Sequence, residues 1–300
     1  MKTLGMTVDS RTAHRVYSEA SLLAKGEPDS VAALRPYLAA YKAKHRDAHY
    51  CVETTRTRVP APEPAPAGAG AGAGGAPAMV DEEVLTQAFV AFAPTVRLVR
   101  DAGQWLKPYV TVDGAHCRRG TLLTLVASDA NGALIQLAVG MVKSESTASW
   151  TWFFNQCVTA YPRLREWAGA LIVSCDGDKG AGNGIAAVFA EAQRVYCVKH
   201  RKRNIARRFG VGDDGLGIYN LFEAAACAVT EAGFDAAMAE LHLKYPEGYA
   251  YVMERDPRMW ANCKYNPRAF GKLTSNDAGA CAQHRGAPGL RVRRRRRGGG

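Results

Sequence analysis

The stretch that decides the fold is residues 108–144, PYVTVDGAHCRRGTLLTLVASDANGALIQLAVGMVKS, in which three apolar runs follow one another closely. The second and third runs are joined by residues 129–132, and the Asn131-Gly132 step in that junction is a strong hairpin signal. The stretch therefore predicts a three-stranded antiparallel unit.

Helical and strand-like patterns alternate after this unit. The pattern predicts a helix over 149–164, a strand over 170–176 and a second helix over 185–193. A second strand over 194–198, a basic helix over 199–209 and further helices over 221–256 follow. The first helix carries Trp150, Trp152, Phe153 and Phe154, which we expect to face the core. This order predicts a mixed α/β fold with one sheet flanked by helices.

The composition is that of a globular protein. The chain has 300 residues, of which 47% are hydrophobic, enough to bury a large core. It contains no run of eighteen apolar residues, and residues 1–17 lack an apolar core, so neither a membrane span nor a signal peptide is predicted. Eight scattered cysteines favour reduced, buried thiols in an intracellular protein.

Positive charge is concentrated in two places. The formal net charge is +11, and residues 199–208 and 291–297 carry six positive charges each. Concentrated basic runs attract polyanions by neutralising phosphates, so nucleic acid is the expected partner. A solvated helix face and a disordered tail are the alternative interpretation of the two runs.

The region before the sheet has a different organisation. Helical patterns with Ser10 and Ser30 as caps cover residues 10–26 and 30–45. Residues 59–78 are almost entirely Pro, Ala and Gly, a composition that cannot bury side chains. We therefore expect four parts: a helical segment (1–55), a flexible linker (56–82), a main domain (83–285) and a disordered Arg/Gly-rich tail (286–300).

Two aspartates are the strongest candidates for chemistry. Asp113 follows the apolar run 108–112, Asp176 follows the run 170–175, and each is followed by glycine. Carboxylates that converge from the ends of neighbouring strands are suited to hard divalent cations, which can drive phosphodiester chemistry. The alternative is that each Asp-Gly pair merely begins a turn.

Other motifs give weaker signals. Residues 177–184, GDKGAGNG, fail as a phosphate loop because Asn183 and Gly184 stand where Lys and Ser/Thr are required. A calcium loop that opens with Asp176 and Asp178 fails as well, because Gly180, Ala181 and Ala187 stand where a ligand, the invariant Gly and the bidentate Glu belong. Two Cys-x-x-His pairs, at 197–200 and 281–284, have a spacing that permits zinc ligation, which leaves a zinc-stabilised binding module as an alternative.

Two longer strings carry a family resemblance. Residues 110–154 contain V-D-G-x-H, a hairpin and then E…SW-x-WF, and residues 174–204 contain an Asp-Gly-Asp-Lys-Gly segment followed by Y-C-x-x-H-x-x-x-N. Together they resemble the Mutator-like element (MULE) transposase domain, and the resemblance extends over residues 83–278. It implies a ribonuclease H-like fold with a helical insertion, and a DDE-type transposase that cuts and joins DNA with Mg²⁺ or Mn²⁺.

Further expectations follow from the resemblance alone. Asp113 and Asp176 match the first and second catalytic, metal-binding acids of the family, and Cys197 and His200 match its C-x-x-H motif. The basic helix then lies where it can contact DNA, through Lys199, Arg201, Lys202, Arg203, Arg207 and Arg208. The resemblance also implies a nuclear protein with transposon ends and target DNA as partners and no membrane association, and it leaves homo-oligomerisation open.

The third acid is where the sequence departs from the family. The family pattern T-S-N-x-x-E is matched at residues 274–276, but Gly279 occupies the glutamate position and has no ligand atoms. Asp277 lies two residues earlier, about 200° around a helix, and should point away. We therefore expect a degenerate, inactive copy of a transposase, with a domesticated DNA-binding or regulatory protein as the alternative.

Overall fold

The computed structural model describes residues 29–60, 79–117, 120–177, 179–210 and 212–264. Seven strands lie within these ranges: β1 (His49–Pro60), β2 (Met79–Ala91), β3 (Leu106–Cys117), β4 (Gly120–Asp129), β5 (Leu134–Val142), β6 (Ile172–Cys175) and β7 (Gln193–Tyr196). In this described part of the chain they form one sheet in the order β1-β2-β5-β4-β3-β6-β7.

The predicted three-stranded unit is confirmed at the centre of the sheet. Strands β3, β4 and β5 pair as two consecutive antiparallel hairpins. In the second turn Gly132 has φ +88°, and the Asp129 side chain accepts a hydrogen bond of 2.7 Å from the Ala133 N–H. Strands β6 and β7 continue the sheet in parallel with β3, so the expected mixed sheet is confirmed.

Nine α-helices flank the sheet or follow it in the described residues: α1 (Asp29–Lys44), α2 (Ala93–Ala102), α3 (Thr147–Ala160), α4 (Arg163–Glu166), α5 (Lys179–Val188), α6 (Val198–Phe209), α7 (Asp213–Cys227), α8 (Glu231–Lys244) and α9 (Pro246–Met253). The main core contains side chains from the sheet and from helices α2, α3 and α5. Trp150, Phe153 and Phe154 are fully buried in it, as predicted. Trp152 is only partly buried, and its indole N–H donates to Glu53 over 2.7 Å.

A second core lies among helices α6 to α9. Its largest buried side chain is Trp260, which packs against the rings of Phe222 and Phe234. Leu241 and Val252 are also fully buried there. The predicted helices of this region are confirmed, with breaks between the helices near 228 and at 245.

The region before the main sheet differs from its predicted organisation. The helix predicted near 30–45 is present as α1, but the segment is not helical to residue 55, because β1 begins at His49. Residues 56–60 and 79–82 of the expected linker lie in strands, since β1 continues to Pro60 and β2 starts at Met79, with these two residues paired. The strand ends on either side of residues 61–78 are therefore paired with each other within one sheet.

Strand β1 was not predicted, because its sequence mixes apolar and charged residues and because its partner, β2, lies beyond the Pro/Ala/Gly insert. The helical pattern at 10–26 and the tail from 286 lie outside the described residues. The division of the chain into domains therefore stays a prediction. No helix of the described ranges has both the length and the apolar character needed to span a membrane.

Candidate functional site

The sheet brings Asp113 and Asp176 to the same level on neighbouring strands. Strands β3 and β6 pair in parallel from Tyr109 opposite Ile172 to Thr111 opposite Ser174. Two residues beyond this last pair are Asp113, within β3, and Asp176, the first residue after β6. Because neighbouring strands lie about 4.8 Å apart and side chains alternate with a period of two, this register sets the two aspartates side by side.

One detail of the predicted placement is wrong. Asp113 is not the last residue of its strand, because β3 continues to Cys117 and pairs with β4, with Asp113 opposite Thr124. What ends at this level is the neighbouring strand β6, whose last residue is Cys175. Asp113 therefore lies in the middle of the β3 hairpin arm, at the level where β6 ends.

The backbone and side chain of Asp113 are both held by hydrogen bonds. The Thr124 hydroxyl donates to the Asp113 carbonyl oxygen over 3.2 Å. The N–H of Gly114 donates to Asp113 Oδ1 over 3.1 Å. These bonds leave the second carboxylate oxygen, Oδ2, as a further acceptor or ligand.

The surroundings of Asp113 raise the pKa of its carboxyl group. Burial raises the pKa of Asp113, and the nearby Asp176 carboxylate raises it further. The positive charges of His200 and Arg203 and the Gly114 N–H act in the opposite direction. A half-buried carboxylate beside a second one is costly to ionise, and a divalent cation between them would offset that cost.

The Cys-x-x-His motif lies beside the acids, where β7 passes into α6. The Cys197 N–H donates to the Cys175 carbonyl oxygen over 2.8 Å, which ties the start of α6 to the strand end that precedes Asp176. The hydrogen bond to the buried Cys197 sulfur raises the pKa of His200, burial lowers it, and Asp113 raises it. Cys197 and His200 thus form a local pair whose imidazole acts electrostatically on Asp113.

The described residues contain no group of three or more His, Cys, Asp or Glu side chains that could hold a metal ion. Cys281 and His284, which a zinc site would need, lie outside the described residues, as do Asp277 and Gly279. Mg²⁺ in proteins is commonly bound by one or two carboxylates, with substrate phosphates and water as the other ligands. Asp113 and Asp176 fit that donor set, and Cys197 with His200 does not.

The six basic residues predicted to contact DNA divide into two groups. Arg201 points into the second core, where it lies over the rings of Phe222 and Trp260 and donates to the Val252 carbonyl oxygen over 3.1 Å. Lys202 is only 12% exposed and pairs with Glu223. These two charges are used within the protein.

The other four charges of α6 are exposed. Lys199, Arg203 and Arg207 are spaced four residues apart and therefore share one helix face, which we call the basic stripe. Arg203 is close enough to Asp113 to lower its pKa, so the stripe begins beside the acid pair. Arg208 lies over the Tyr251 ring, with its guanidinium carbon 5.1 Å from the ring centre.

The glycine-rich stretch after Asp176 has a packing role. Residues 179–188 are helix α5 rather than a loop, which agrees with the exclusion of a phosphate loop and a calcium loop. A Cβ atom added at Gly184 would lie 2.8 Å from the Trp150 Cβ, so glycine lets α5 approach α3 closely.

Sequence reasoning gave no role to Glu145, which lies in the connection between β5 and α3. Its carboxylate lies against Gly114, the residue next to Asp113. The only sequence signal was the glutamate at the start of the E…SW-x-WF string. Spacing could not have shown this contact, because it depends on how the connection folds over β3.

Taken together, the sheet and the acid pair define an α/β domain with two carboxylates side by side at the end of a parallel strand pair. Residues 110–204 match the family model of the MULE transposase domain. The matched range includes Asp113, Asp176, the Cys-x-x-His pair at 197–200 and two residues of the basic stripe, Lys199 and Arg203. The chain therefore contains a MULE transposase-family domain, as predicted. No curated protein matches the chain.

Proposed function

We propose that this chain is a Mutator-like transposase, or a protein derived from one, that acts on DNA through divalent-metal phosphoryl-transfer chemistry. The observation that carries the proposal is the parallel register of β3 and β6, which sets Asp113 level with Asp176 inside the matched MULE range. A transposase domain also implies DNA as the partner.

The strand order supports a ribonuclease H-like fold for this domain. Strands β5, β4 and β3 form an antiparallel unit, and β6 and β7 extend it in parallel beside β3. Helices α3 and α5 separate the later strands along the chain. Helices α7 to α9 supply the helical insertion that we expect between the second and third acids.

In this proposal Asp113 and Asp176 hold Mg²⁺ or Mn²⁺. A bound divalent ion supplies activation of the attacking oxygen and stabilisation of the leaving oxygen. The chain's own contribution is to hold the Asp113 carboxylate by the Gly114 N–H and to present the basic stripe to the DNA phosphates next to the acid pair. Arg201 and Lys202 contribute indirectly, by fixing α6 to the second core.

We further propose that this copy does not complete the reaction, because Gly279 replaces the third carboxylate. The second candidate function is DNA binding without catalysis, in a domesticated regulatory protein. The exposed basic stripe favours it, because contact with phosphates requires neither a metal ion nor a third acid.

The test is nicking of supercoiled plasmid DNA in the presence of Mn²⁺. We expect no nicking by the wild-type chain, nicking by Gly279→Glu, and none by Gly279→Gln or by Gly279→Glu combined with Asp113→Asn. If the wild-type chain nicks DNA and Asp113→Asn abolishes this nicking, the claim that Gly279 makes the chain inactive is refuted. Failure of Gly279→Glu alone to nick DNA, while the chain still binds DNA, would favour the second candidate function.

A nuclear location is part of the same proposal, because the DNA substrate lies in the nucleus. A fluorescent fusion of the full chain is expected to accumulate there. Uniform cytoplasmic fluorescence would contradict this part without affecting the chemistry.

A further inference from the structure

Glu145 packs against the strand that carries Asp113. Its side chain is half-buried, and its carboxylate lies against the main chain of Gly114. A Cβ atom added at Gly114 would lie 2.5 Å from Glu145 Cδ and 3.2 Å from Cγ, and Cβ atoms essentially never approach other atoms within 3.0 Å. A larger residue at this position would displace the Glu145 carboxylate from its contact with the strand.

The contact lies on the side of β3 opposite to the Asp113 side chain. Successive residues of a strand point to opposite faces of the sheet, so the space that Glu145 occupies beside Gly114 faces away from the acid pair. The Gly114 N–H nevertheless donates to Asp113 Oδ1 over 3.1 Å. The peptide unit that Glu145 supports from behind is thus the one that holds the Asp113 carboxylate in front.

Strand β3 needs support at this level. Its pairing with β6 ends at Thr111, and beyond that residue β4 alone pairs with it among the described residues, with Gly114 opposite Leu123. The main chain around Asp113 therefore has a neighbour on one edge only. Glu145 supplies a contact from the face of the sheet.

Glu145 itself is held between two fixed points. Val142, three residues earlier, pairs with Thr121 at the end of β5. Ser146, the next residue, caps α3 by accepting a hydrogen bond of 3.1 Å from the Ser149 N–H. With both flanks anchored, Glu145 can transmit the position of α3 to β3.

We infer that Glu145 is a positioning residue that buttresses the Asp113–Gly114 main chain and thereby orients the Asp113 carboxylate for a divalent cation. The inference rests on the proposed function, since it assumes that Asp113 and Asp176 bind the metal. It assigns the glutamate no contact with metal or DNA.

The test is Mn²⁺ binding to the full chain, followed by electron paramagnetic resonance of the free ion, together with thermal denaturation. Loss of a residue that orients a metal ligand typically weakens affinity by about 10- to 100-fold. We expect Glu145→Ala to weaken Mn²⁺ binding by about tenfold or more with little change in thermal midpoint. Glu145→Gln keeps the shape of the side chain, and we expect it to bind Mn²⁺ nearly as tightly as the wild type.

A double substitution separates positioning from packing. Gly114→Ala alone should displace the Glu145 carboxylate, because the added methyl group overlaps it. We expect weaker Mn²⁺ binding with little change in thermal midpoint, because the end of a flexible side chain can move. Gly114→Ala with Glu145→Ala should bind Mn²⁺ about as weakly as Glu145→Ala alone, because the carboxylate that the methyl group displaces is already absent. Wild-type affinity in Glu145→Ala, recovery of affinity in the double variant, or loss of affinity only through melting of the fold would overturn the inference.

The proposed function can fail separately in the same experiment. Asp113→Asn should abolish Mn²⁺ binding. A wild-type chain that binds no Mn²⁺, or an Asp113→Asn variant that binds it unchanged, would overturn the metal pair and the inference together. Binding that depends on Asp113 but not on Glu145 would overturn the inference alone.

Discussion

Replacing Gly184 with valine is expected to destabilise the protein by separating α3 from α5. A Cβ atom at this position would lie 2.8 Å from the Trp150 Cβ and 3.2 Å from both the Trp150 carbonyl carbon and the Thr151 nitrogen. None of these atoms can move by a side-chain rotation. The two helices must therefore shift apart, and α5 begins three residues after Asp176.

The magnitude follows from two opposing effects. Overpacking of a tight contact costs about 1–3 kcal/mol, and valine, which adds two methyl groups beyond Cβ, belongs at the upper end. Valine is a better helix former than glycine by roughly 0.4 kcal/mol, which offsets a small part. The net loss of about 2–3 kcal/mol corresponds to a fall of about 4–12 °C in the thermal midpoint for a domain of this size.

The assay is thermal denaturation followed by circular dichroism, with Ala186→Val as the matched control. Ala186 lies on the same helix and is exposed, so the same valine there meets no neighbour and costs only about 0.6 kcal/mol in helix propensity. Equal midpoints for the two variants would refute the close packing of α3 on α5.

Three further predictions concern charge and packing. Replacing the basic stripe with glutamine should lower the slope of log affinity for duplex DNA against log salt by about 2–3, whereas Lys202→Gln should not change it; fluorescence anisotropy measures both. Because folding raises the pKa of Asp113, its ionisation lowers stability as pH rises from about 3.9 through the raised folded value. Asp113→Asn should therefore have a higher thermal midpoint than the wild type at neutral pH but not at about pH 3. A difference in midpoint that grows toward acid would contradict the raised pKa. Trp260→Ala should lower the free energy of unfolding in urea by about 3–5 kcal/mol, because the side chain is fully buried in the second core. A loss well below this range would contradict its place in that core.

The central sheet was predictable because its signals are local. The alternation in residues 108–144 and the Asn131-Gly132 step specify two hairpins without reference to the rest of the chain. Strand β1 was not predictable in the same way, because its pairing with β2 closes across an insert of low-complexity sequence. Local patterns carry no information about a partner that distant.

The candidate site was predictable as a set of residues but not as an arrangement. That Asp113 and Asp176 lie side by side depends on β6 pairing with β3 rather than with another strand. The basic helix was misjudged in part, although a signal existed. Val198 and Ile205 are buried, and Arg201 falls between them on the same helix face, which indicates that this face packs inward.

The hairpin of β1 and β2 makes the length of the Pro/Ala/Gly insert almost irrelevant to the fold. The pairing of Pro60 with Met79 holds together the two strand ends that residues 61–78 join, so a change in the length of that connection changes the entropy of closing it. That entropy changes slowly, and doubling the insert costs only about 0.6 kcal/mol. A change in the number of residues between Pro60 and Met79 should therefore leave the acid pair, which lies at β3 and β6 in the sheet order, unaffected.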